Sequence, residues 1–218
     1  MFERDLCMYD GIIFDIDGTI WDSTNVVEMA WNDAFRELGY EKRTTAEELK
    51  GLFGRPMDEI FNSLVPNATK EETEIFEPLC SRYEFEYLEK KGGIVYPGVR
   101  ETIEKLARTH TLAIVSNCQA GYIELVMRLT GIDPFIKDHL CPDDSGLLKA
   151  GNIKLIAERL NMKNPVYVGD IAKDETASRE AGVAFIHAAY GFGEGIEPDY
   201  TINSFPELMD IPGINSAD

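Results

Sequence analysis

The chain of 218 residues has few basic residues and no long apolar run. Lysine and arginine together number 21 against 39 acidic residues, which gives a formal net charge of −18. A surface of this sign repels a phosphate backbone and argues against a nucleic-acid polymer as a partner. A small phosphorylated molecule would have to find positive charge locally, on a few basic side chains, on backbone N–H groups or on a metal ion.

Cysteine is also scarce, and its spacing is not typical of a disulfide framework or a zinc site. The four cysteines are Cys7, Cys80, Cys118 and Cys141. We therefore expect reduced thiols and a cytoplasmic location. No apolar stretch approaches the roughly 18 residues of a membrane span, and the first residues do not resemble a signal peptide. No association with a membrane is expected.

Short apolar runs alternate with helical patterns along most of the chain. Strands are predicted at residues 11–14, 112–115, 166–168 and 183–186, with a weaker candidate at 200–202. Helices are predicted at residues 99–108, 122–129, 153–160 and 173–181. This alternation predicts an α/β fold in which helices cover both faces of a parallel sheet.

Residues 23–93 break the alternation, because they contain no good strand candidate. Two aromatic stripes at helical spacing lie here, namely Trp31, Phe35 and Leu38, and then Phe76, Leu79, Tyr83 and Tyr87. Pro78 is expected to weaken the second helix. We predict an all-helical domain at residues 23–93, inserted into a core formed by residues 1–22 and 94–218.

Two carboxylates follow the first predicted strand. Asp15 and Asp17 are two residues apart, and Gly18 and Thr19 then open a turn. If the chain stayed extended, both side chains would project from the carboxyl end of the sheet, where ligands bind in open α/β folds. Two close carboxylates repel each other, so the pair suits either a metal site or a nucleophile beside a general acid.

Polar residues also follow two other predicted strands, and a lysine precedes one of the predicted helices. Ser116 and Asn117 follow the strand at 112–115, where a hydroxyl and backbone N–H groups can cradle an anion. Lys149 precedes a predicted helix and can place a cation near a phosphoryl group. Asp170 and Asp174 follow the strand at 166–168, and oxygen ligands of this kind suit magnesium.

In order along the chain, these motifs resemble those of the haloacid dehalogenase superfamily, in its phosphatase branch with a helical cap. The resemblance covers nearly the whole chain and implies a Rossmann-like core under an inserted helical cap. The four motifs of the family match Asp15-x-Asp17-Gly18-Thr19, Ser116-Asn117, Lys149 and Gly169-Asp170-x-x-x-Asp174. Members often carry proline after the lysine of the third motif, whereas Ala150 follows Lys149 here.

The resemblance also implies a role for each motif residue. Asp15 would be the nucleophile and a magnesium ligand, and Asp17 the general acid and base, with its backbone carbonyl as another ligand. Asp170 would bind magnesium directly, with Asp174 supporting the metal site. The residues that would hold the transferring phosphoryl group are Ser116, Asn117 and Lys149.

The implied activity is hydrolysis of a small phosphorylated metabolite, as in phosphoglycolate phosphatases. A phosphotransferase of the β-phosphoglucomutase kind shares the core motifs and stays open as an alternative. A non-catalytic binding protein on this fold is a further alternative, which loss of an acid motif would favour. The dehalogenases that name the family lack the second acid, so Asp17 indicates phosphoryl chemistry.

One cation of the predicted insertion has a candidate role in specificity. Arg55 lies between Gly54 and Pro56, and Pro56 suits the first turn of a following helix. Arg55 would then lie at the helix entrance, where it could contact an anionic or polar leaving group. The alternative is a surface arginine paired with Asp58 or Glu59.

Overall fold

A parallel sheet forms the centre of the molecule in the computed structural model, which describes residues 8–55 and 57–215. The strands are β1 (Gly11–Phe14), β2 (Trp21–Asp22), β3 (Ile94–Val95), β4 (Thr111–Val115), β5 (Asp138–Leu140), β6 (Pro165–Gly169), β7 (Ala184–Ala188) and β8 (Tyr200–Ile202). Six of them form the sheet in the order β5-β4-β1-β6-β7-β8, with every neighbouring pair parallel.

The helices lie on both faces of the sheet and in one long insertion. They are α1 (Thr24–Glu37), α2 (Ala46–Lys50), α3 (Met57–Leu64), α4 (Lys70–Lys91), α5 (Val99–Leu106), α6 (Tyr122–Thr130), α7 (Pro142–Ser145), α8 (Lys149–Arg159) and α9 (Ala172–Ala181). Two short 3₁₀ helices are Asp133–Phe135 and Phe205–Asp210.

The central strand β1 is buried on both faces because all four of its residues are apolar or glycine. Its alternate side chains enter two different clusters, with Ile12 and Phe14 in one and Ile13 in the other. Phe14 is in register with Ile114 of β4 and Val168 of β6. The carboxyl ends of these three strands therefore lie level, and residues that follow them meet at one edge of the sheet.

Helices α1 to α4 form the insertion between β1 and β4, which we call the helical insertion. It has its own apolar cluster, in which α1 packs against α4 through residues such as Phe35 and Phe76. The short strands β2 and β3 pair in antiparallel fashion where the chain leaves and re-enters the core. The domain boundaries at residues 22/23 and 93/94 stay a prediction.

The α/β fold and the helical insertion are confirmed, while several short elements were not predicted. Strands β2, β3 and β5 and helix α7 have two to four residues each, too few to give a periodic pattern. Helix α4 also continues through Pro78, against expectation. A capping box at Thr69 and Glu72 and the packing against α1 stabilise α4 enough to offset the lost hydrogen bond.

The sequence predicts reduced thiols and no membrane-spanning segment. Cys80, Cys118 and Cys141 are free thiols, and Cys7 lies outside the described residues. No helix in the described ranges combines the length and the apolar character needed to cross a membrane.

Candidate active site

The sheet edge brings together most of the residues singled out in the sequence. Asp15 follows β1, Ser116 follows β4 and Asp170 follows β6. Lys149 is the first residue of α8, and Asp174 lies in the first turn of α9. All five side chains are buried, with exposed fractions of 5% or less.

Lys149 is the cation at the centre of this group. Its Nζ donates to Oδ1 of Asp15 at 3.0 Å and to Oδ1 of Asp174 at 2.6 Å. Burial works against the charge of the ammonium group, but the two carboxylates outweigh it and raise the pKa of Lys149. Lys149 thus begins α8 and contacts both carboxylates, although alanine (Ala150) and not proline follows it.

Asp15 sits at the end of β1, and its backbone N–H still donates to Val168 of β6 at 2.9 Å. Burial raises the pKa of its carboxyl group to about 6, and Asp174 adds to this effect. Hydrogen bonds from Lys149 and Ser116 act in the opposite direction and favour the charged form. Asp15 thus combines a fixed position with a carboxylate that is ionised at neutral pH.

Three buried carboxylates around one lysine fit a metal ion. Asp15, Asp170 and Asp174 each offer an oxygen, and these oxygens lie within 4.8 Å of one another. Burial, together with the other two acids, raises the pKa of Asp170 well above its usual range. A divalent cation would relieve this repulsion, and hard oxygen ligands suit magnesium.

Asp170 and Asp174 are held in different ways. Oδ2 of Asp170 accepts from the backbone N–H of Phe192 at 2.7 Å. Both oxygens of Asp174 are already engaged, because Oδ1 accepts from Lys149 and Oδ2 from the backbone N–H groups of Asp170 and Ile171. Oδ1 of Asp170 accepts only a long hydrogen bond of 3.5 Å from Oγ1 of Thr19. Asp174 is thus the more firmly held of the two and suits a supporting role, while Asp170 is better placed for direct ligation.

Asp17 lies apart from the carboxylate cluster, because the chain turns after Asp15 and does not stay extended. Its Oδ1 accepts from Ser23 at 2.6 Å, Tyr122 at 2.9 Å and Trp21 at 3.2 Å. None of these three bonds uses Oδ2. Burial raises the pKa of Asp17 to about 7, and the charge of Asp15 contributes to the shift. The acid can therefore hold a proton at Oδ2 near neutral pH.

The loop between α2 and α3 contacts the core beside the site. Nδ2 of Asn117 donates to the carbonyl of Gly54 at 2.9 Å. Gly54 has a φ of +77°, and a Cβ at this position would lie 2.4 Å from Cδ1 of Ile171. Phe53 packs edge-on against Phe192, with ring centroids 6.4 Å apart. The side chain of Asn117 thus binds the helical insertion to the core. This role of Asn117 was not predicted from the sequence.

Arg55 is not brought to the carboxylate cluster. Its Nη2 donates to the carbonyl of Gly51 in its own loop at 2.9 Å. Glu59, one of the two acids suggested as its partner, instead pairs with Lys173 of the core at 2.5 Å. Pro56, expected in the first turn of the next helix, lies outside the described residues. A contact between Arg55 and substrate stays a prediction.

A small cavity of about 30 Å³ separates the helical insertion from the core beside Asp17. Its lining includes Trp31 and Glu84 from the insertion and Gln119 and Tyr122 from the core. Glu84 is buried, and its Oε2 accepts from Nε1 of Trp31 at 3.0 Å. Burial raises the pKa of Glu84 to about 7, with a contribution from the charge of Asp17.

Sequence reasoning missed Glu84, although one signal was available. Glu84 lies four residues from both Cys80 and Leu88, on the buried face of α4. An acid on an apolar stripe at helical spacing indicates a special environment. For Tyr122 there was no such signal, because its contact with Asp17 joins residues 105 positions apart.

Comparison with known proteins assigns the chain to a family. The model of the haloacid dehalogenase-like hydrolases matches residues 12–188. A phosphoglycolate phosphatase of Vibrio parahaemolyticus is 26% identical in an alignment that covers 94% of this chain and 96% of the relative. The pyrophosphatase PpaX of Oceanobacillus iheyensis is 24% identical in an alignment that covers 94% of this chain and 98% of the relative.

Solved structures share the fold. The crystal structure of a predicted phosphoglycolate phosphatase from Haemophilus somnus aligns with a TM-score of 0.84 at 23% identity, covering 93% of this chain and 97% of that one. A haloacid dehalogenase-like hydrolase of Streptococcus pneumoniae aligns with a TM-score of 0.80 at 22% identity, covering 93% and 97%.

Proposed function

The chain belongs to the haloacid dehalogenase-like hydrolases, and on this premise we propose that it is a magnesium-dependent phosphatase of a small phosphorylated metabolite. The reaction proceeds through an aspartyl-phosphate at Asp15. The observation that carries the proposal is a buried, ionised Asp15 held by Lys149, beside an Asp17 whose pKa is raised to about 7. One acid serves as nucleophile while the other holds a proton.

In the first step, a carboxylate oxygen of Asp15 attacks phosphorus and the bond from phosphorus to the ester oxygen breaks. The proton on Oδ2 of Asp17 passes to the departing oxygen, so that the leaving group departs as a neutral alcohol. The hydrogen bonds from Ser23, Trp21 and Tyr122 to Oδ1 fix the orientation of the acid during this transfer.

In the second step, the ionised Asp17 takes a proton from a water molecule as the water attacks the phosphorus of the aspartyl-phosphate. The bond between phosphorus and the Asp15 oxygen breaks, which releases inorganic phosphate and restores the carboxylate. Asp17 is protonated again and ready for the next turnover.

Neutral hydrogen-bond donors, one lysine and a metal ion together offset the negative charge of the phosphoryl group. Ser116, the backbone of Asn117 and Lys149 hold the phosphoryl oxygens. Magnesium would be held by Asp15, Asp170 and the backbone carbonyl of Asp17, with Asp174 in support. When bound, the ion neutralises charge on the transferring group. The overall charge of −18 makes such local compensation necessary.

The named relatives support a phosphatase over a mutase. Two of them are phosphoglycolate phosphatase and pyrophosphatase PpaX. These two names differ in substrate, and the identities are only 26% and 24%. We therefore propose the reaction type from the relatives and neither of their two substrates. The cytoplasmic location stays a prediction.

Replacement of Asp15 by Asn tests the proposal. The amide is a poor nucleophile and a weaker metal ligand, so Asp15→Asn should lose essentially all hydrolysis of p-nitrophenyl phosphate. Asp210→Asn changes an exposed aspartate in the same way and should leave turnover unchanged. If Asp15→Asn, still folded by circular dichroism, keeps more than about a hundredth of the wild-type rate, Asp15 is not the nucleophile.

A further inference from the structure

Residues 191–193, in the loop between β7 and β8, lie directly against Asp170, the carboxylate best placed to bind the metal. The backbone N–H of Phe192 donates to Oδ2 of Asp170 at 2.7 Å. A Cβ on Gly191 would lie 2.4 Å from Cβ of Asp170, and a Cβ on Gly193 would lie 2.3 Å from the carbonyl oxygen of Asp170. The two glycines therefore allow the backbone of this segment to approach Asp170 closely.

The ring of Phe192 packs against a different part of the molecule. It lies against the apolar cluster of the helical insertion, edge-on to Phe53, with ring centroids 6.4 Å apart. Nζ of Lys50, also in the insertion, lies 5.9 Å from the centroid of the same ring, within reach of a cation–π attraction. Among the described residues of this cluster, all but Phe192 come from residues 27–87. Phe192 therefore connects the insertion to the segment that contacts Asp170.

The orientation of the Asp170 carboxylate depends strongly on this one N–H group. The hydrogen bond from Phe192 is short, whereas the bond from Oγ1 of Thr19 to the other oxygen is 3.5 Å long. Both neighbours of Phe192 are glycines, so its ring is the only side chain that can anchor residues 191–193. Groups that hydrogen-bond to a metal ligand orient it, and their loss weakens metal binding.

Resting on the proposed magnesium-dependent function, we propose that Phe192 is a positioning residue, which orients Asp170 for the metal while the helical insertion packs on its ring. The insertion supplies none of the three carboxylates of the cluster. It acts on the metal site through Phe53 and Phe192. Loss of the ring contact weakens the binding of magnesium, whereas the chemical step at Asp15 proceeds once the ion is bound.

The variant Phe192→Ala tests this role, because it keeps the backbone N–H and removes the ring. Urea unfolding at a series of magnesium concentrations gives the Kd of the ion without any turnover. This Kd should rise roughly tenfold. The magnesium concentration for half-maximal hydrolysis of p-nitrophenyl phosphate should rise by the same factor, while kcat in saturating magnesium should stay within about twofold of the wild type.

Tyr40→Ala is the matched control. Tyr40 is half-buried like Phe192 and packs on the same apolar cluster, but against Phe35 and Phe76. The control should lower the free energy of unfolding and leave the Kd of magnesium unchanged. Phe192→Tyr keeps a ring against Phe53 and should retain the wild-type Kd. An unchanged Kd in Phe192→Ala, or an equal rise in Tyr40→Ala, would assign Phe192 a purely structural role and overturn the inference.

Phe53→Leu tests the same contact from the side of the insertion and decides the matter if Phe192→Ala does not fold. It removes the ring and keeps an apolar side chain, so the Kd of magnesium should rise at least about threefold. In the double variant with Phe192→Ala, the Kd should not exceed that of Phe192→Ala alone, because both substitutions break one contact. An unchanged Kd in Phe53→Leu would overturn the inference.

Failure of the inference differs from failure of the proposed function. A wild type that magnesium neither stabilises against urea nor activates towards p-nitrophenyl phosphate would overturn the proposed function, and this inference with it. If magnesium does both in the wild type and binds equally well to Phe192→Ala, only the positioning role of Phe192 fails.

Discussion

At the scale of single residues, the division of labour between Asp15 and Asp17 follows from their surroundings. Both are acids of the same motif, yet Asp15 contacts a lysine and Asp17 contacts two hydroxyls and an indole N–H. A lysine favours the ionised form of its partner, whereas burial without a cation favours the protonated form. The first residue therefore suits a nucleophile and the second an acid.

This division predicts that replacement of Asp17 affects substrates unequally. Asp17→Asn cannot protonate a leaving group, so phosphorylation by ethyl phosphate should slow by roughly 100-fold or more. p-Nitrophenolate leaves readily without a proton, and phosphorylation by p-nitrophenyl phosphate should slow far less. Single-turnover measurements with rapid quenching separate this step from hydrolysis of the intermediate. Loss of the same factor on both substrates would show that Asp17 is not the general acid.

The raised pKa of Asp17 also predicts a pH dependence. The first step requires the protonated acid, whose population falls as the pH rises through about 7. The single-turnover phosphorylation rate with ethyl phosphate should therefore fall on the alkaline side of that value in the wild type. The fall should disappear in Asp17→Asn, and its persistence there would assign the titration to another group.

At the scale of elements, the contact between the helical insertion and the core depends on the loop between α2 and α3. Gly54 in this loop combines a positive φ with close approach to Ile171, and its carbonyl accepts from Asn117. Asn117 follows β4 at the sheet edge. Contact between the loop and the core therefore forms directly beside the residue that would bind the phosphoryl group.

Substitution of this glycine should impair turnover beyond its effect on stability. In Gly54→Ala the new methyl group collides with Ile171, whereas Gly39→Ala has a similar φ of +76° and open space around it. Both should lose about 1 to 2 kcal/mol of stability in urea unfolding, from the positive φ. Only Gly54→Ala should also lose roughly tenfold in kcat/KM for p-nitrophenyl phosphate. Equal activities in the two variants would contradict a functional contact at Gly54.

The sequence predicts the elements that place the cluster but not the contacts around it. Asp15, Ser116 and Asp170 were predictable because each directly follows a buried apolar strand, and parallel strands end at one edge. The environment of Asp17 was not predictable, since its direction depends on a turn and its partner Tyr122 comes from a distant helix. Local patterns carry no information about which distant side chains meet.

At the scale of the whole molecule, the excess of acidic residues extends into the buried active site. The chain carries −18 overall, and its buried cluster of Asp15, Asp170 and Asp174 contains a single lysine, Lys149, which pairs with Asp15 and Asp174. Each buried carboxylate that stays ionised opposes folding unless a cation is near. A divalent ion that binds only the folded chain would therefore stabilise it.

Magnesium should raise the free energy of unfolding, measured with urea in excess magnesium and in EDTA. We expect a gain of roughly 1 to 3 kcal/mol for the wild type. Asp170→Asn should lose this gain, because it removes a ligand and one of the repelling charges, while the exposed variant Asp210→Asn should keep it. Identical unfolding curves of the wild type with and without magnesium would contradict a metal site at the carboxylate cluster.

The central claim is that catalysis passes through a phosphoryl group bound to Asp15. Acid quenching during turnover of a phosphate ester labelled at phosphorus, followed by borohydride reduction and peptide mapping, tests this claim most directly. We predict protein-bound label in the burst phase and conversion of Asp15 to homoserine, with neither in Asp15→Asn. Turnover without protein-bound label, or reduction at any other aspartate, would contradict the account.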